Sequence, residues 1–282
     1  MNFNVYGELY YSYDFSNPKN YEKSNFLYNH KRHHELNANL VLLKANYLDK
    51  NHRAVLGLMA GNYTRYNLSS EPTWAQFINE ASVGVKLSQK QNIWLDAGIM
   101  PSHIGFESAI SADCWTLTRS ILAENSPYYE AGIKVSSTSK NEKLNLSALY
   151  LNGWQKIKKP NYIQKPSFGT QINYKPTKKL LLNYSTFLGT DKPDSINAIR
   201  QFHNFYLQYE PTNTFGIIAG FDIGKDKFNL GSYGTWYSPV LIIKQSINEK
   251  TRIAFRGEYY SDPKQIIIST GTTNGFQTFG FS

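Results

Sequence analysis

The chain has 282 residues, of which 15% are aromatic and only 18% charged, with a mean hydropathy of −0.47. No stretch approaches the ~20 apolar residues of a membrane-crossing helix, which excludes a helical membrane protein but leaves a membrane barrel open. A single cysteine, Cys114, excludes an internal disulfide framework and a Cys-rich metal site. The formal charge of +9 is dispersed over turn lysines such as Lys50, Lys90, Lys140, Lys178 and Lys250, so it does not form a nucleic-acid-binding face.

The sequence opens directly in a strand with no signal peptide before it, which for an exported protein reads as a mature or engineered start. From Asn2 to Tyr13, residues Phe3, Val5, Leu9, Tyr11 and Tyr13 fall on one face. Asn4, Tyr6, Glu8, Tyr10 and Ser12 fall on the other. A period of two marks a strand with one apolar and one polar face. A polar loop runs from Ser16 to Arg32, and Leu36, Ala38, Leu40 and Leu42 then mark a second strand.

Short polar breaks follow at residues 49–52, 88–91, 139–142, 175–178, 210–213 and 247–250. Between successive breaks lie longer connections, at 67–75, 101–127, 155–165, 190–199, 225–231 and 262–273. Short turns at one end and long loops at the other are the plan of an outer-membrane barrel, and hairpin connectivity makes neighbouring strands antiparallel. Alternation persists along the chain. Ala81, Val83, Val85 and Leu87 oppose Glu80, Ser82, Gly84 and Lys86, and Phe215, Ile217, Ala219, Phe221 and Ile223 oppose Gly216, Ile218, Gly220 and Asp222. Ile253, Phe255 and Tyr259 oppose Arg252, Arg256 and Glu258.

Two strands per interval gives about fourteen, the last at 274–282. The expected fold is all-β: a single antiparallel transmembrane β-barrel domain over residues 1–282. The second face stays polar, as a water-filled lumen requires, and tyrosines and tryptophans gather towards strand ends as an interfacial girdle. A soluble β-sandwich, the competing all-β fold, would need positions where both faces meet core.

Residues 100–129 break the rhythm. Ile93, Leu95, Ala97 and Ile99 precede them in alternation, and Tyr129, Ala131, Ile133 and Val135 follow. The connection is far longer than a hairpin needs and carries Trp115, Leu117, Ile121 and Leu122 at mixed helical spacing over 111–123. Such a segment must pack somewhere, and the lumen is the available place. Its charges Glu107, Asp113, Arg119 and Glu124 are therefore candidate constriction residues, setting the local field of a pore or tying the segment to the wall. The candidate wall-lining charges are Glu8, Glu80, Asp96, Glu130, Arg256 and Glu258.

Other constellations carry less. His30, His33, His34 and Glu35 would have to converge to hold a metal, yet adjacent His33 and His34 point to opposite faces if extended. Ser102, His103 and Glu107 contain the residue types of a hydrolytic triad, but sequence neighbours seldom reach its geometry. A phospholipase site would also belong on the lipid-facing wall. Cys114 beside Trp115 reads as a small packed residue. No catalytic residue, metal or cofactor is assigned.

The sequence resembles the OmpL-like β-barrel porins of the Gram-negative outer membrane. The similarity runs from Tyr6 to Phe281. It is densest at Ser102-His103-Ile104-Gly105-Phe106-Glu107-Ser108, Leu117-Thr118-Arg119-Ser120, Ala123-Glu124-Asn125-Ser126-Pro127-Tyr128-Tyr129-Glu130, Asn152-Gly153-Trp154-Gln155 and Glu258-Tyr259-Tyr260-Ser261-Asp262-Pro263. The resemblance implies an integral outer-membrane barrel surrounded by lipid and, by inference, a channel for small hydrophilic solutes. It supplies no catalytic residues. Similar proteins generally continue past the point matching Ser282, which sets sixteen strands as the expectation for a complete barrel. The alternative is a barrel plugged by residues 100–129 that serves as a scaffold or binds envelope protein partners. Inward Glu8, Glu80, Asp96, Glu130, Asp222 and Glu258 against Lys86, Lys134, Arg252 and Arg256 set the expectation of weak cation preference despite the basic charge.

Overall fold

The computed structural model describes residues 1–227 and 232–282. Fourteen strands form one antiparallel sheet, each pairing with the next in sequence. They are β1 (Asn2–Tyr11), β2 (Leu36–Leu48), β3 (His52–Ala60), β4 (Ile78–Lys86), β5 (Asn92–Pro101), β6 (Tyr129–Thr138) and β7 (Leu144–Leu151). The second half comprises β8 (Ser167–Thr177), β9 (Leu180–Gly189), β10 (Arg200–Tyr209), β11 (Phe215–Lys227), β12 (Tyr233–Ser246), β13 (Arg252–Asp262) and β14 (Phe276–Phe281). The sheet is open between β1 and β14.

Five of the six short polar breaks fall at turns between consecutive strands, whereas the one expected at 175–178 lies mostly inside β8, where its pairing with β9 shifts between Tyr174 and Thr177. The connection expected at 225–231 begins inside β11, and the rest of it lies outside the described residues. That expected at 67–75 occupies 61–77 and contains a short helix, α1 (Asn62–Asn67). Within the connection 102–128 there is only a 3-10 turn at Ser111–Asp113 and one helical turn, α2 (Ile121–Glu124), whose Ala123 amide is capped by the Ser120 hydroxyl. Just before α2 the Thr118 carbonyl accepts from the Arg256 guanidinium of β13.

Alternation places the apolar face outward. Val83 and Val85 of β4, Ile133 and Val135 of β6, Leu241 of β12 and Phe255 of β13 are exposed. Ile217 is half-buried. Tyrosines and phenylalanines mark strand ends on that face, including Tyr47 and Tyr174 at the turn end and the edge-to-face pair Tyr150–Phe168 at the loop end. The tryptophans depart from the expected girdle: only Trp74 is exposed, whereas Trp94 and Trp236 are buried.

The inner face is not uniformly polar. Three buried apolar clusters lie there, and residues of segment 102–128 belong to each: Ala109 packs with Leu40, Leu42 and Met59, Ile104 and Ile121 with Phe187, Phe202 and Trp236, and Leu122 with Ile218, Val240 and Ile242. The apolar core of this sheet is therefore the segment and the wall it covers, each large aliphatic contributing roughly 1.5–3 kcal/mol when fully buried. Gly98 and Gly132 face each other across β5 and β6, beside the segment's two ends. Gly98 has φ +132, and a Cβ there would lie 2.1 Å from the Ala81 carbonyl oxygen. Only glycine permits that approach.

Ile133 is 47% exposed on the outward face. Lysine there would put a charge against hydrocarbon, and Ile133→Lys should destabilise the folded sheet by ~2–4 kcal/mol. Urea unfolding of the variant in lipid vesicles measures this; unchanged stability would mean that the outward face does not meet lipid.

Candidate functional site

The segment 102–128 is fastened to the wall at points drawn from distant strands. His103 is buried with Nδ1 2.8 Å from a Glu130 carboxylate oxygen and Nε2 2.8 Å from the Thr186 carbonyl, so the ring ties the segment to β6 and β9. Gly105 donates its amide to Asn204 at 3.2 Å. Ser111 donates to Glu8, whose carboxylate also receives His30. On β13, Arg256 donates to both Thr116 and Thr118 hydroxyls at 3.1 Å and to Glu258 at 2.9 Å. The other Glu258 oxygen accepts the Ile121 amide at 2.6 Å.

Glycines on the inner face of β11 receive the segment's aromatic rings. A Cβ at Gly220 would lie 2.5 Å from Phe106, and one at Gly216 would lie 2.6 Å from Trp115. Gly224 makes the same room for Trp236 of β12, at 2.1 Å. Gly216, Gly220 and Gly224 alternate on the inner face with Ile218 and Asp222, opening gaps into which the rings fit. That periodicity is visible in the sequence and is the signal by which this docking strip could have been found.

The four charged segment residues take different places. Glu107 accepts the Ser120 amide at 3.0 Å and its hydroxyl, leaving its other oxygen buried without a partner. Asp113 is exposed and its carboxylate forms no hydrogen bond with another protein group. Arg119, 2% exposed, braces the segment internally through the Ser108 and Ala109 carbonyls and the Ser111 hydroxyl. Glu124 receives the amides of Tyr28 and Asn29 at 2.8 and 3.2 Å and the Asn29 side chain at 3.2 Å, stapling the connection 12–35 onto the segment.

Along the wall, each candidate charge is paired. Glu80 meets Lys44 at 2.7 Å, Asp96 is held by Arg53, Glu130 by His103, and Glu258 by Arg256. Asp222 accepts from Asn204 at 2.6 Å. Lys44 and Arg53 were absent from the expected inward bases, as were Arg200, which pairs with Asp191 and Asp226, and Lys244, which pairs with Glu210. For Lys44 the reason is a bulge opposite Glu8/Leu9. It switches β2 from Leu36 outward, 74% exposed, to Leu40 inward, 0% exposed.

The remaining constellations are separated. His33 accepts the Asp14 amide at 2.8 Å and His34 lies 2.7 Å from the Tyr11 hydroxyl, so neither joins His30 on Glu8. Ser102 accepts the Ile104 amide rather than facing His103. Burial pushes the Cys114 thiol up to about 11, and it donates to the Ser108 carbonyl.

Against β9–β13 the segment seals wall residues Asn204 and Ser238, both 0% exposed, but residues 114–118 leave a cavity of about 530 Å³ beside Arg252 and Ala254 of β13. Facing β2–β4 and α1 it leaves a cavity of about 400 Å³. Lys44, Tyr63 and Asn79 line it from the wall side, and Phe106, Glu107 and Asp113 from the segment.

Burial pushes the Glu124 carboxyl up to about 7, outweighing the amides that favour its charged form. A raised carboxyl pKa means that the staple is strongest below the ordinary value and weakens as pH rises through about 7, by roughly 3 kcal/mol at most. Hydrogen exchange at Tyr28 and Asn29 should therefore speed up from pH 5 to pH 8 beyond its intrinsic increase, and Glu124→Gln should abolish that excess. An excess that survives the substitution would assign the effect elsewhere.

The whole sequence, residues 1–282, matches the family model described as "Putative beta-barrel porin-2, OmpL-like". Among solved structures, the fold is similar to the anion-selective porin from Comamonas acidovorans, with a TM-score of 0.52 and 11% identity over 81% of this chain and 73% of that one. It is also similar to OmpT, an outer-membrane protein of Vibrio cholerae, with a TM-score of 0.45 and 10% identity over 88% and 89% of the two chains. No curated protein matches the chain.

Proposed function

We propose that this chain, which belongs to the OmpL-like β-barrel porin-2 family and is integral to the outer membrane, lets small hydrophilic solutes diffuse passively between segment 102–128 and the wall. The observation that carries this reading is the polar-lined cavity of about 400 Å³ between the segment and β2–β4. The segment acts as the constriction, and the protein performs no covalent chemistry. Glu107 and Asp113 set the sign of the field at the narrow part. Lys44 is already neutralised by Glu80, and Arg53, Arg200 and Lys244 each have a carboxylate partner. Weak cation preference follows, because lysines in the exposed turns are screened within ~8–10 Å at physiological salt. A reversal potential across a KCl gradient reads this sign, and a clear anion preference would refute it.

A second reading, a plugged barrel serving as a scaffold or partner-binding subunit of an envelope complex, is favoured by the sealed wall at Asn204, Asp222 and Ser238. Single-channel conductance in a planar bilayer separates the two. Deleting residues 108–123 should leave the strand ladder intact, since its hydrogen bonds run from strand to strand, and should raise conductance above that of the parent. No current from the parent, with current from the deletion, would establish the plug.

A further inference from the structure

We propose that the cavity beside the segment is a binding site for a neutral polyhydroxylated solute of mono- to disaccharide size. This rests on the passage reading above and names the solute class.

The cavity's polar lining is unsatisfied in a specific way. Tyr63 is 2% exposed, yet its hydroxyl forms no hydrogen bond with another protein group. The Asn79 amide and the Tyr206 hydroxyl, which line the same space, are likewise without protein partners. Buried polar groups are nearly always hydrogen-bonded, so the buried Tyr63 hydroxyl, with the half-buried Asn79 and Tyr206 groups turned to the same space, marks a place for an outside partner. At about 400 Å³ the space is within the range of small-ligand sites, roughly 300–1,000 Å³.

The chemistry selects among solutes. Phenol hydroxyls and a carboxamide each donate and accept, which matches solute hydroxyls that do both. Phe106 and Tyr128 add ring surface for the C–H face of such a solute. The free groups, Tyr63 and Asn79, are neutral. Lys44 is held by Glu80, Glu107 accepts from Ser120 with its unpartnered oxygen closed off from solvent, and the carboxylate of Asp113 is exposed and screened by salt. An anion would meet Glu107 and Asp113 without a free base, and a cation would find its counter-charge only at the rim.

The test uses the full chain purified in detergent, with maltose and choline as probes. Titration calorimetry should give saturable maltose binding that Tyr63→Phe weakens roughly three- to tenfold, the effect of one hydroxyl. Maltose should also lower the ion current in a planar bilayer. Asn79→Leu, a change of similar size, should weaken binding independently. A conducting channel with no maltose binding overturns the site while leaving the passage standing. Binding by a protein that passes no current keeps the site and overturns the passage. Maltose binding unchanged in both folded variants, or choline bound more tightly than maltose, overturns the proposal.

Discussion

Folding segment 102–128 into the sheet takes water away from a wall built of ionisable side chains, and every other polar arrangement answers that loss. A carboxylate removed from water without a partner is very costly. Hence Glu8 is met by His30 and Ser111, Glu130 by His103, and Glu258 by Arg256 and the Ile121 amide. The segment is both the cause of the desolvation and a supplier of the compensating donors. Breaking any one of these pairs from the wall side would strand its partner, so these interactions specify where the segment lies more than they add net stability.

The interior is consequently lopsided. On the β9–β13 side, rings fit into gaps opened by the glycines of β11, and the wall residues Asn204 and Ser238 are sealed. On the β2–β4 side, tyrosine hydroxyls and an amide remain without protein partners around open space. The same connection thus packs as core at some positions and lines open space at others. Arg119 and Glu124, which look from the sequence like pore charges, work as brace and staple; Glu107 and Asp113 reach the cavity.

Much of this was legible in the sequence because a strand writes its two faces at period two. The breaks, the strand number and the inward carboxylates all follow from that one regularity. What it could not carry is anything that interrupts the period. A single bulge opposite Glu8/Leu9 reverses β2 and hides Lys44 from a constant-parity reading. Leu40, Phe187, Phe202 and Trp236 are apolar residues on the inner face, where a polar lining was expected, because their partner is a segment whose path no local pattern encodes. The partners of the wall carboxylates were illegible for the same reason: they lie far away in the chain.

That distance has a consequence for how the protein is made. Each strand pairs with its immediate successor, so the sheet can grow by local hairpins with short closures. The segment's fastenings span 103 residues to Glu8, 137 to Glu258 and 138 to Arg256. Contacts of such separation exist only after most strands are in register and the sheet has curled. The expected order of assembly is therefore strand pairing first, with the last fastenings, to β13, closing the segment onto the wall and displacing water from it.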